Sequence, residues 1–328
     1  MNNQKPTPET LMQLQFGMAA SRVLMVGTAL GVFTDISKGK KTAQAIADAT
    51  GANARGLRML LDALVAFGLL KKEGGGYGLT PLSAEYLVKG KDTYMGHMLE
   101  NDMMWSSWTH LGEVVLSGKP LRRVEEKQNA ESFFPTLVRS LHVTNRAPAL
   151  RTAQVLAGAK RVLDVACGSG VWGISIAEQE KDARVVAQDF PALLDVTREY
   201  AKKHGVADRF DYLPGDLKAV DFGKDRFDCA VLGNIVHSEG EASSRALFEK
   251  LHAALVRGGK LAIVDMIPNE ERTGPPFPVL FALNMLLHTE SGDTYTLGEY
   301  RRWLQEAGFS KVETADIGSH SPLVVATK

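Results

Sequence analysis

From residue 160 onward, short β-rich runs alternate with helical segments, and this alternation constrains the fold more than any other feature of the chain. The β-rich runs cover residues 161–165, 184–188, 210–213, 227–232 and 261–264. The helical patterns between and after them cover residues 171–178, 191–204 and 242–255. Because parallel strands need a crossover connection, which is usually a helix, this order predicts a doubly wound α/β sheet.

The last part of the chain departs from this alternation. Residues 312–315 and 323–326 are two β-rich runs with no helical pattern between them. Two strands joined by a short turn run in opposite directions, so these runs predict an antiparallel edge on the sheet.

The first 95 residues have a different organisation, which is typical of a winged helix. A helical pattern at residues 41–50 is followed by a second one that Asn53 can cap, and a hairpin pattern surrounds the triple glycine at 74–76. Winged helices often bind DNA, but the second helix offers only Arg55 and Arg58 among mostly apolar residues. We therefore favour a dimerising role over that of a DNA-binding regulator.

The most apolar stretch near the N-terminus covers residues 18–33 and is interrupted by Ser21 and Arg22, so it is too short to span a bilayer. A helix that is apolar nearly all round needs a partner surface, which predicts a two-fold homodimer. The 38 basic and 38 acidic residues balance, so we expect neither nucleic acid nor a membrane as a partner. With two cysteines and no export signal, the expected location is cytoplasmic.

The first predicted strand of the sheet runs into a loop of small residues that opens the next helix. Gly168 and Gly170 let a ligand approach the backbone, and the helix N-terminus offers free N–H groups. The glycine pattern also suits a dinucleotide. However, Asp164 precedes the loop, and its charge would repel a pyrophosphate but attract an ammonium and a sulfonium. The motif therefore favours S-adenosylmethionine over a nicotinamide cofactor.

Two further acids follow later strands. Asp189 ends the second strand, where an acid can accept hydrogen bonds from ribose hydroxyls. Asp216 follows the third strand and could accept from an adenine amine, with Leu217 packed on the ring. The carboxyl ends of parallel strands meet at one edge of a sheet. Together with Asp164, these acids predict a ligand with three donor groups at that edge.

A histidine, His237, follows the fourth strand and is expected at the same edge, beside a methyl donor. A neutral imidazole there can take a proton from a phenol or enol. Methyl transfer needs this step, because an oxyanion is a far better nucleophile than a hydroxyl. His237 is therefore the candidate general base. No metal is predicted, because the eight histidines show no ligand spacing with acids or cysteines.

These residues resemble the S-adenosylmethionine-dependent O-methyltransferases of the caffeic-acid and hydroxyneurosporene type. That family has a Rossmann-like catalytic domain and an N-terminal winged-helix dimerisation domain. The resemblance covers nearly the whole chain. Besides the cofactor loop and the N-terminal region, it rests on residues 116–120, 189–191, 215–216, 234–237, 257–260 and 300–309.

The resemblance implies roles for individual residues. His237 matches the family's general base, and Asp265 stands where an acid could orient it. The implied cofactor-binding residues are Asp164, Gly168, Gly170, Asp189, Phe190, Asp216, Leu217, Asn234 and, at the methionyl end, Asn145. The expected substrate pocket combines a cluster of Met and Trp with a segment like the family's substrate helix. Its residues are Met103, Met104, Trp105, Asn284, Met285 and His288.

Three regions follow from these patterns. Residues 1–95 are predicted to form the winged-helix dimerisation domain, and residues 96–155 a helical linker that lines the substrate pocket. Residues 156–328 are predicted to form the catalytic domain that binds S-adenosylmethionine.

Two departures from the family keep alternatives open. Ser238 and Glu239 follow the histidine where the family often has Asp and Trp, and Thr294 stands where it often has a second acid. We favour an enzyme that methylates a hydroxyl of a small aromatic or polyketide-like natural product. The first alternative is a decarboxylation, hydroxylation or pericyclic reaction in which the cofactor is only a structural or electrostatic element. The second is the DNA-binding regulator.

Overall fold

The computed structural model describes residues 7–100, 102–124 and 126–328 of the 328-residue chain. The chain divides into two compact units, the first ending at Met104 and the second beginning at Trp105. The predicted domain limits at residues 95 and 155 stay a prediction. Among the described residues, we find no helix with the length and hydrophobicity of a membrane span.

The first unit consists of helices and one hairpin. Its helices are α1 (Glu9–Ala29), α2 (Val32–Ser37), α3 (Ala43–Thr50), α4 (Ala54–Ala66), α5 (Pro81–Tyr86), α6 (Gly96–Leu99) and the start of α7 (Asp102–Thr109). Its hairpin pairs β1 (Leu70–Glu73) with β2 (Gly76–Leu79). Asn53 caps α4, because its side-chain oxygen accepts from the N–H groups of Arg55 and Gly56 at 3.1 and 3.2 Å. The predicted order of helix, turn, helix and hairpin is confirmed.

The apolar stretch at residues 18–33 is not one helix, and that prediction was wrong. α1 ends at Ala29, and Gly31 turns the chain with a φ of +72°, which a residue without a Cβ adopts easily. Val32 and Phe33 then point into the core of the unit. The exposed apolar face lies earlier, near the start of α1. Its large side chains are Leu11, Met12, Leu14, Phe16 and Met18.

The second unit is a seven-stranded sheet with helices on its faces. Its strands are β3 (Arg161–Val165), β4 (Arg184–Asp189), β5 (Phe210–Pro214), β6 (Phe227–Gly233), β7 (Leu255–Val264), β8 (Lys311–Ala315) and β9 (Leu323–Thr327). Its helices after α7 are α8 (Leu111–Ser117), α9 (Lys127–Val155), α10 (Val171–Gln179), α11 (Pro191–Lys203), α12 (Val236–Ala254), α13 (Pro276–His288) and α14 (Leu297–Glu306). β3 is buried along almost its whole length, as expected of a central parallel strand.

The strand order is β5-β4-β3-β6-β7-β9-β8, with β9 antiparallel to both of its neighbours and the other pairs parallel. This confirms the doubly wound sheet and its antiparallel edge. The predicted short turn between the last two strands is wrong, because β8 and β9 are joined by residues 316–322. The chain order reverses between β3 and β6, and a ligand crevice in such sheets lies outside the carboxyl ends of the strands at that point.

Candidate active site

The loop between β3 and α10 is closely packed against α11. Gly170 has a φ of +73°, and a Cβ there would lie 2.6 Å from Thr197 Cγ2, so only glycine fits without rearrangement. The hydroxyl of Thr197 donates to the carbonyl of Gly168 at 2.8 Å. The N-cap residue of α10 is Gly170, which has no side chain to accept from the first N–H groups of the helix, although Asp164 accepts from the third, that of Gly173. The first N–H groups of that helix can therefore serve a ligand.

Asp164 lies beneath this loop rather than in it. Its Oδ2 accepts from the N–H of Gly173 at 2.8 Å, while its buried Oδ1 has no hydrogen-bond partner among the described residues. Burial, reinforced by the charge of Asp189, raises the pKa of Asp164 to about 7. A buried, incompletely satisfied carboxylate favours a positive charge nearby. Because Asp164 is fully buried, it would act on a cofactor through its charge and its hold on α10, not through contact.

Asp189 joins the end of β4 to the glycine loop. Its Oδ2 accepts from the N–H of Gly168 at 2.8 Å, and its Oδ1 accepts from the N–H of Phe190 at 2.7 Å. Burial raises the pKa of Asp189 to about 6. Each carboxylate oxygen can accept a second hydrogen bond, so a diol could still bind there. Phe190 packs, half-buried, against the core of the sheet.

Gln188 is a residue of this site that the sequence analysis missed. Its side chain is buried, accepting from the N–H of Ala166 at 3.2 Å and donating to the carbonyl of Gly215 at 2.6 Å. One amide thus joins the ends of β3, β4 and β5. The available signal was an amide side chain within an otherwise apolar strand.

Asp216 and Leu217 follow β5, as predicted, but they point in different directions. Asp216 is exposed, and its Oδ1 accepts from the N–H of Lys218 at 2.8 Å. Leu217 is buried in the core of the sheet, and its carbonyl accepts from Lys250 Nζ at 2.8 Å. Contacts of both residues with an adenine stay a prediction.

The end of β6 is backed by the indole of Trp172 from α10. A Cβ on Gly233 would lie 1.9 Å from Trp172 Nε1, so the ring lies directly against the strand backbone. The next residue, Asn234, has a φ of +60°, which Asn tolerates better than most residues, and its N–H donates to the carbonyl of Val264 at 2.8 Å. The structure therefore places Asn234 at the crevice edge, while its contact with a cofactor stays a prediction.

His237 lies in the first turn of α12, against Asp265 at the end of β7. The two atoms His237 Nδ1 and Asp265 Oδ1 are 2.5 Å apart, and the N–H of His237 donates to Oδ2 at 3.0 Å. The N–H of Met266 also donates to Oδ1, at 2.7 Å. A carboxylate on Nδ1 holds the Nδ1–H tautomer, which leaves Nε2 free to accept a proton. The predicted helix start at residue 242 was late, because α12 begins at Val236 and is interrupted at Gly240.

Two aromatic residues complete the surroundings of this pair, and the sequence analysis gave neither a role. The hydroxyl of Tyr300 donates to Asp265 Oδ2 at 3.3 Å. Burial and the adjacent Asp265 raise the pKa of Tyr300 far above its usual range, so it stays a neutral donor. Phe281 of α13 packs edge-on against the imidazole of His237, with ring centroids 4.9 Å apart.

The segment at residues 292–294 holds the backbone of His237 and not its ring. The N–H of Asp293 donates to the carbonyl of His237 at 2.9 Å. The Oδ1 atom of Asp293 accepts from the N–H of Thr294 at 2.7 Å, and its Oδ2 lies 3.6 Å from Arg272 Nη1. Thr294 is buried, and its hydroxyl has no partner among the described residues. Asp265 is therefore the carboxylate that contacts the ring.

The predicted substrate residues Asn284, Met285 and His288 lie on α13, the helix whose Phe281 packs against His237. Asn284 is one helical turn from Phe281, and its buried Oδ1 has no partner in the described residues. His288 Nδ1 lies 2.9 Å from the carbonyl of Asn284, and burial lowers the pKa of His288. Met285 is almost fully buried in the same helix.

The other predicted site residues lie on α7 and α9. Trp105 begins the second unit on α7, whereas Met103 and Met104 belong to the first unit. Asn145 is half-buried on α9, one turn from a histidine that contacts the glycine loop. Their contacts with substrate or cofactor stay a prediction.

Comparison with known proteins adds to this geometry. The profile of the O-methyltransferase dimerisation domain matches residues 12–89, and that of the O-methyltransferase domain matches residues 112–310. The chain is 29% identical to 3-hydroxy-5-methyl-1-naphthoate 3-O-methyltransferase from Streptomyces sahachiroi, covering 95% of this chain and 92% of that protein. It is 27% identical to the tetracenomycin polyketide synthesis 8-O-methyl transferase of Streptomyces glaucescens, covering 98% and 97%.

A solved structure has the same fold. Human N-acetylserotonin methyltransferase, determined in complex with S-adenosylmethionine, superposes with a TM-score of 0.87 over 100% of this chain and 99% of that one. Its sequence is 23% identical, so this likeness describes the fold alone.

Proposed function

The chain belongs to the O-methyltransferase domain family, and from this premise we propose that His237 is the general base of its reaction. The protein is an S-adenosylmethionine-dependent O-methyltransferase with a dimerisation domain and a small-molecule acceptor. The acceptor that we propose is a hydroxyl on a small aromatic or polyketide-like natural product, the class on which its relatives act. The contact between His237 and Asp265 is the observation that carries this proposal.

The residues around the glycine loop fit S-adenosylmethionine. Asp164 is buried, and its Oδ1, which has no partner in the part of the chain that the structure describes, favours a cation. Asp189 has lone pairs left for a ribose diol. When bound, the cofactor supplies an electrophilic methyl group on a sulfonium. We propose that Asp164, Gly168, Gly170, Asp189 and the start of α10 hold it at the edge of the sheet.

The base acts on the acceptor hydroxyl. Asp265 holds the Nδ1–H tautomer of His237, so Nε2 can take the proton of the acceptor hydroxyl. Loss of that proton makes the acceptor oxygen the nucleophile of the methyl transfer. The resulting imidazolium lies against the buried carboxylate of Asp265, which offsets its charge. Phe281 packs against the imidazole and supplies an apolar neighbour on one side of it. We propose that Asn284, whose Oδ1 has no partner among the described residues, binds a donor group of the acceptor.

Replacement of the base tests this proposal. His237→Ala should bind S-adenosylhomocysteine as the wild type does, yet lower kcat by ~10²-fold or more. His252→Ala is the matched control, because His252 lies on the same helix but packs against Phe309. Its kcat should stay within about twofold of wild type. Near-normal turnover by His237→Ala would remove His237 from the role of base.

A labelled methyl donor separates this reaction from the alternative on the same scaffold. With S-adenosylmethionine carrying a labelled methyl group, the product of an O-methyltransferase contains the label. Product formed without label, together with unconsumed cofactor, would show that the pocket catalyses a different reaction.

We also propose that the protein is a two-fold homodimer that forms through the start of α1. Four of the side chains there, Leu11, Leu14, Phe16 and Met18, are each more than 60% exposed in the single chain. Several large apolar side chains exposed on one helix are typical of an interface. Light scattering should give twice the mass of the chain. Leu14→Glu should weaken the dimer and the exposed neighbour Gln15→Glu should not, whereas a monomeric wild type would refute the proposal.

The cytoplasm is the location that we propose. Cys167 and Cys229 are free, buried thiols, and thiols stay reduced in that compartment. Recovery of the native protein from an exported or membrane fraction of the producing cell would contradict this.

A further inference from the structure

A network of polar side chains, buried at its inner end, lies behind the glycine loop, and the proposed reaction does not use it. His142 of α9 is 5% exposed, and its Nδ1 lies 3.0 Å from the hydroxyl oxygen of Ser169 in the loop. On the other side of the ring, His142 Nε2 lies 3.3 Å from His204 Nε2 at the end of α11. His204 Nδ1 is in turn 2.8 Å from Glu178 Oε1 of α10.

The surrounding contacts fix the imidazole of His142 in one orientation. Its ring is stacked on that of Tyr200, with centroids 3.9 Å apart and an angle of 25° between the planes. Arg146, one turn further along α9, donates to Glu178 at 2.5 Å and to Ser175 at 2.7 Å. Side chains of α9, α10 and α11 therefore hold the outer end of this network, at His204 and Glu178, in place.

The protonation state of His142 determines what it can do. Burial, together with the charges of His204, Arg146 and Lys203, lowers its pKa to about 3, so the ring is neutral near pH 7. A neutral imidazole has one N–H and one lone pair. The two Nε2 atoms share one hydrogen. If His142 carries it, His142 Nδ1 accepts from Ser169; if His204 carries it, the N–H of His142 is on Nδ1 and donates to Ser169. The hydroxyl of Ser169 is engaged in both arrangements.

We propose that His142 is a positioning residue for the cofactor, because it holds Ser169 and thereby the glycine loop in the shape that binds S-adenosylmethionine. This inference rests on the proposed cofactor site. Ser169 lies between Gly168 and Gly170, which have φ values of +57° and +73°. A loop with two glycines has many other conformations, and the bond to a fixed ring excludes them. Without that bond, the cofactor has to order the loop when it binds, which weakens binding.

Two substitutions of similar size separate this role from simple burial. In His142→Asn, the amide nitrogen takes the place of Nδ1, so the bond to Ser169 is kept and the one to His204 is lost. In His142→Gln, the amide nitrogen takes the place of Nε2, so the bond to Ser169 is lost and the one to His204 is kept. Ser169→Ala removes the same bond from the other side and changes the packing very little.

The readouts are the Kd of S-adenosylhomocysteine by calorimetry, the KM for S-adenosylmethionine, and kcat at saturation. We expect His142→Gln and Ser169→Ala to raise Kd and KM about tenfold, with kcat within about twofold of wild type. His142→Asn should bind nearly as the wild type does. The double variant of Ser169→Ala and His142→Gln should lose no more affinity than either single variant, because both remove one bond.

Several outcomes would overturn the inference. Wild-type affinity in Ser169→Ala would do so even if His142→Gln fails to fold. Equal losses in His142→Asn and His142→Gln would show that the intact imidazole matters and the bond to Ser169 does not. Asp189→Asn tests the proposed cofactor site separately from the role of His142. Full affinity in that variant would refute the proposed cofactor site itself.

Discussion

Replacement of Asp265 by Asn tests how the base is held in its working state. Four donors converge on the Asp265 carboxylate: the ring Nδ1–H of His237, the backbone N–H groups of His237 and Met266, and the hydroxyl of Tyr300. Asn has one oxygen and one NH2 group, so it cannot accept from all of them. If the NH2 group faces the ring, His237 must take the Nε2–H tautomer and Nε2 can no longer accept a proton. If the oxygen faces the ring, the NH2 group opposes the backbone N–H of His237.

The expected loss follows from the bond that the imidazolium would make. A hydrogen bond between charged partners contributes about 1.5–3 kcal/mol, and the lost carboxylate also stabilised the positive ring. A total of about 3 kcal/mol in the transition state corresponds to a loss of about 10²-fold in kcat. Tyr300→Phe removes only one of the four donors, so we expect a loss of about three- to tenfold.

The assay is the initial rate of S-adenosylhomocysteine formation at saturating S-adenosylmethionine, with two acceptors that differ by one ring substituent. One acceptor carries an ordinary phenol, and the other carries a nitro group that makes its hydroxyl acidic. Because an acidic hydroxyl ionises without help, Asp265→Asn should lose much less activity on the nitro acceptor. Asp211→Asn, an exposed carboxylate on β5, is the control. Equal losses on both acceptors, or a kcat within threefold of wild type on the ordinary phenol, would refute this account of the base.

Two further predictions concern stability. Asp164 has a pKa of about 7 in the folded protein against about 3.8 in the unfolded chain. Between those pH values, the folded state binds more protons than the unfolded chain. The free energy of unfolding therefore falls as pH rises from about 4 to 7. Asp164→Asn should therefore reduce the fall between pH 5 and pH 8 by about 2.5 kcal/mol in urea titrations, and an unchanged fall would contradict the assignment. Gly233→Ala should cost about 1–3 kcal/mol, because its Cβ would lie 1.9 Å from Trp172 Nε1, and equal stability would show that the indole can move aside at no cost. Gly112→Ala lies in α8, where the new Cβ would be within 4 Å of no described atom beyond its chain neighbours and its own helix backbone. This variant should instead be neutral or stabilise the protein by up to about 1 kcal/mol in the same urea titrations.

Features whose physical cause is local could be predicted well. Strand β3 matches its predicted range, and β4, β5 and β6 differ from theirs by one residue, because apolar and β-branched residues stand together along these strands. Asn53 was identified as a cap because its oxygen serves N–H groups two and three residues further along the chain. The prediction of one helix over residues 18–33 failed, because the sequence stays apolar across Gly31 although the backbone turns there.

Features that depend on distant partners could not be predicted. Gln188 lies 22 residues from Ala166 and 27 from Gly215, and Tyr300 lies 35 residues from Asp265. No spacing rule connects such pairs, because only the folded sheet and its helices bring them within hydrogen-bond distance. For the same reason, the sequence assigned Asp265 only through resemblance to a family.

The amino-acid sequence by itself determined the alternation of strands and helices, the acids at three strand ends and the histidine after the fourth. These depend on hydrophobic periodicity and on residue chemistry, which are readable along one chain. Only the tertiary structure decided what those groups can do. It buries Asp164 with one oxygen that no described residue contacts by a hydrogen bond, sets His237 Nδ1 against Asp265, and joins Ser169 to His142. Burial and the position of a partner determine pKa, tautomer and hydrogen-bond direction, and both arise from contacts between residues far apart in the chain.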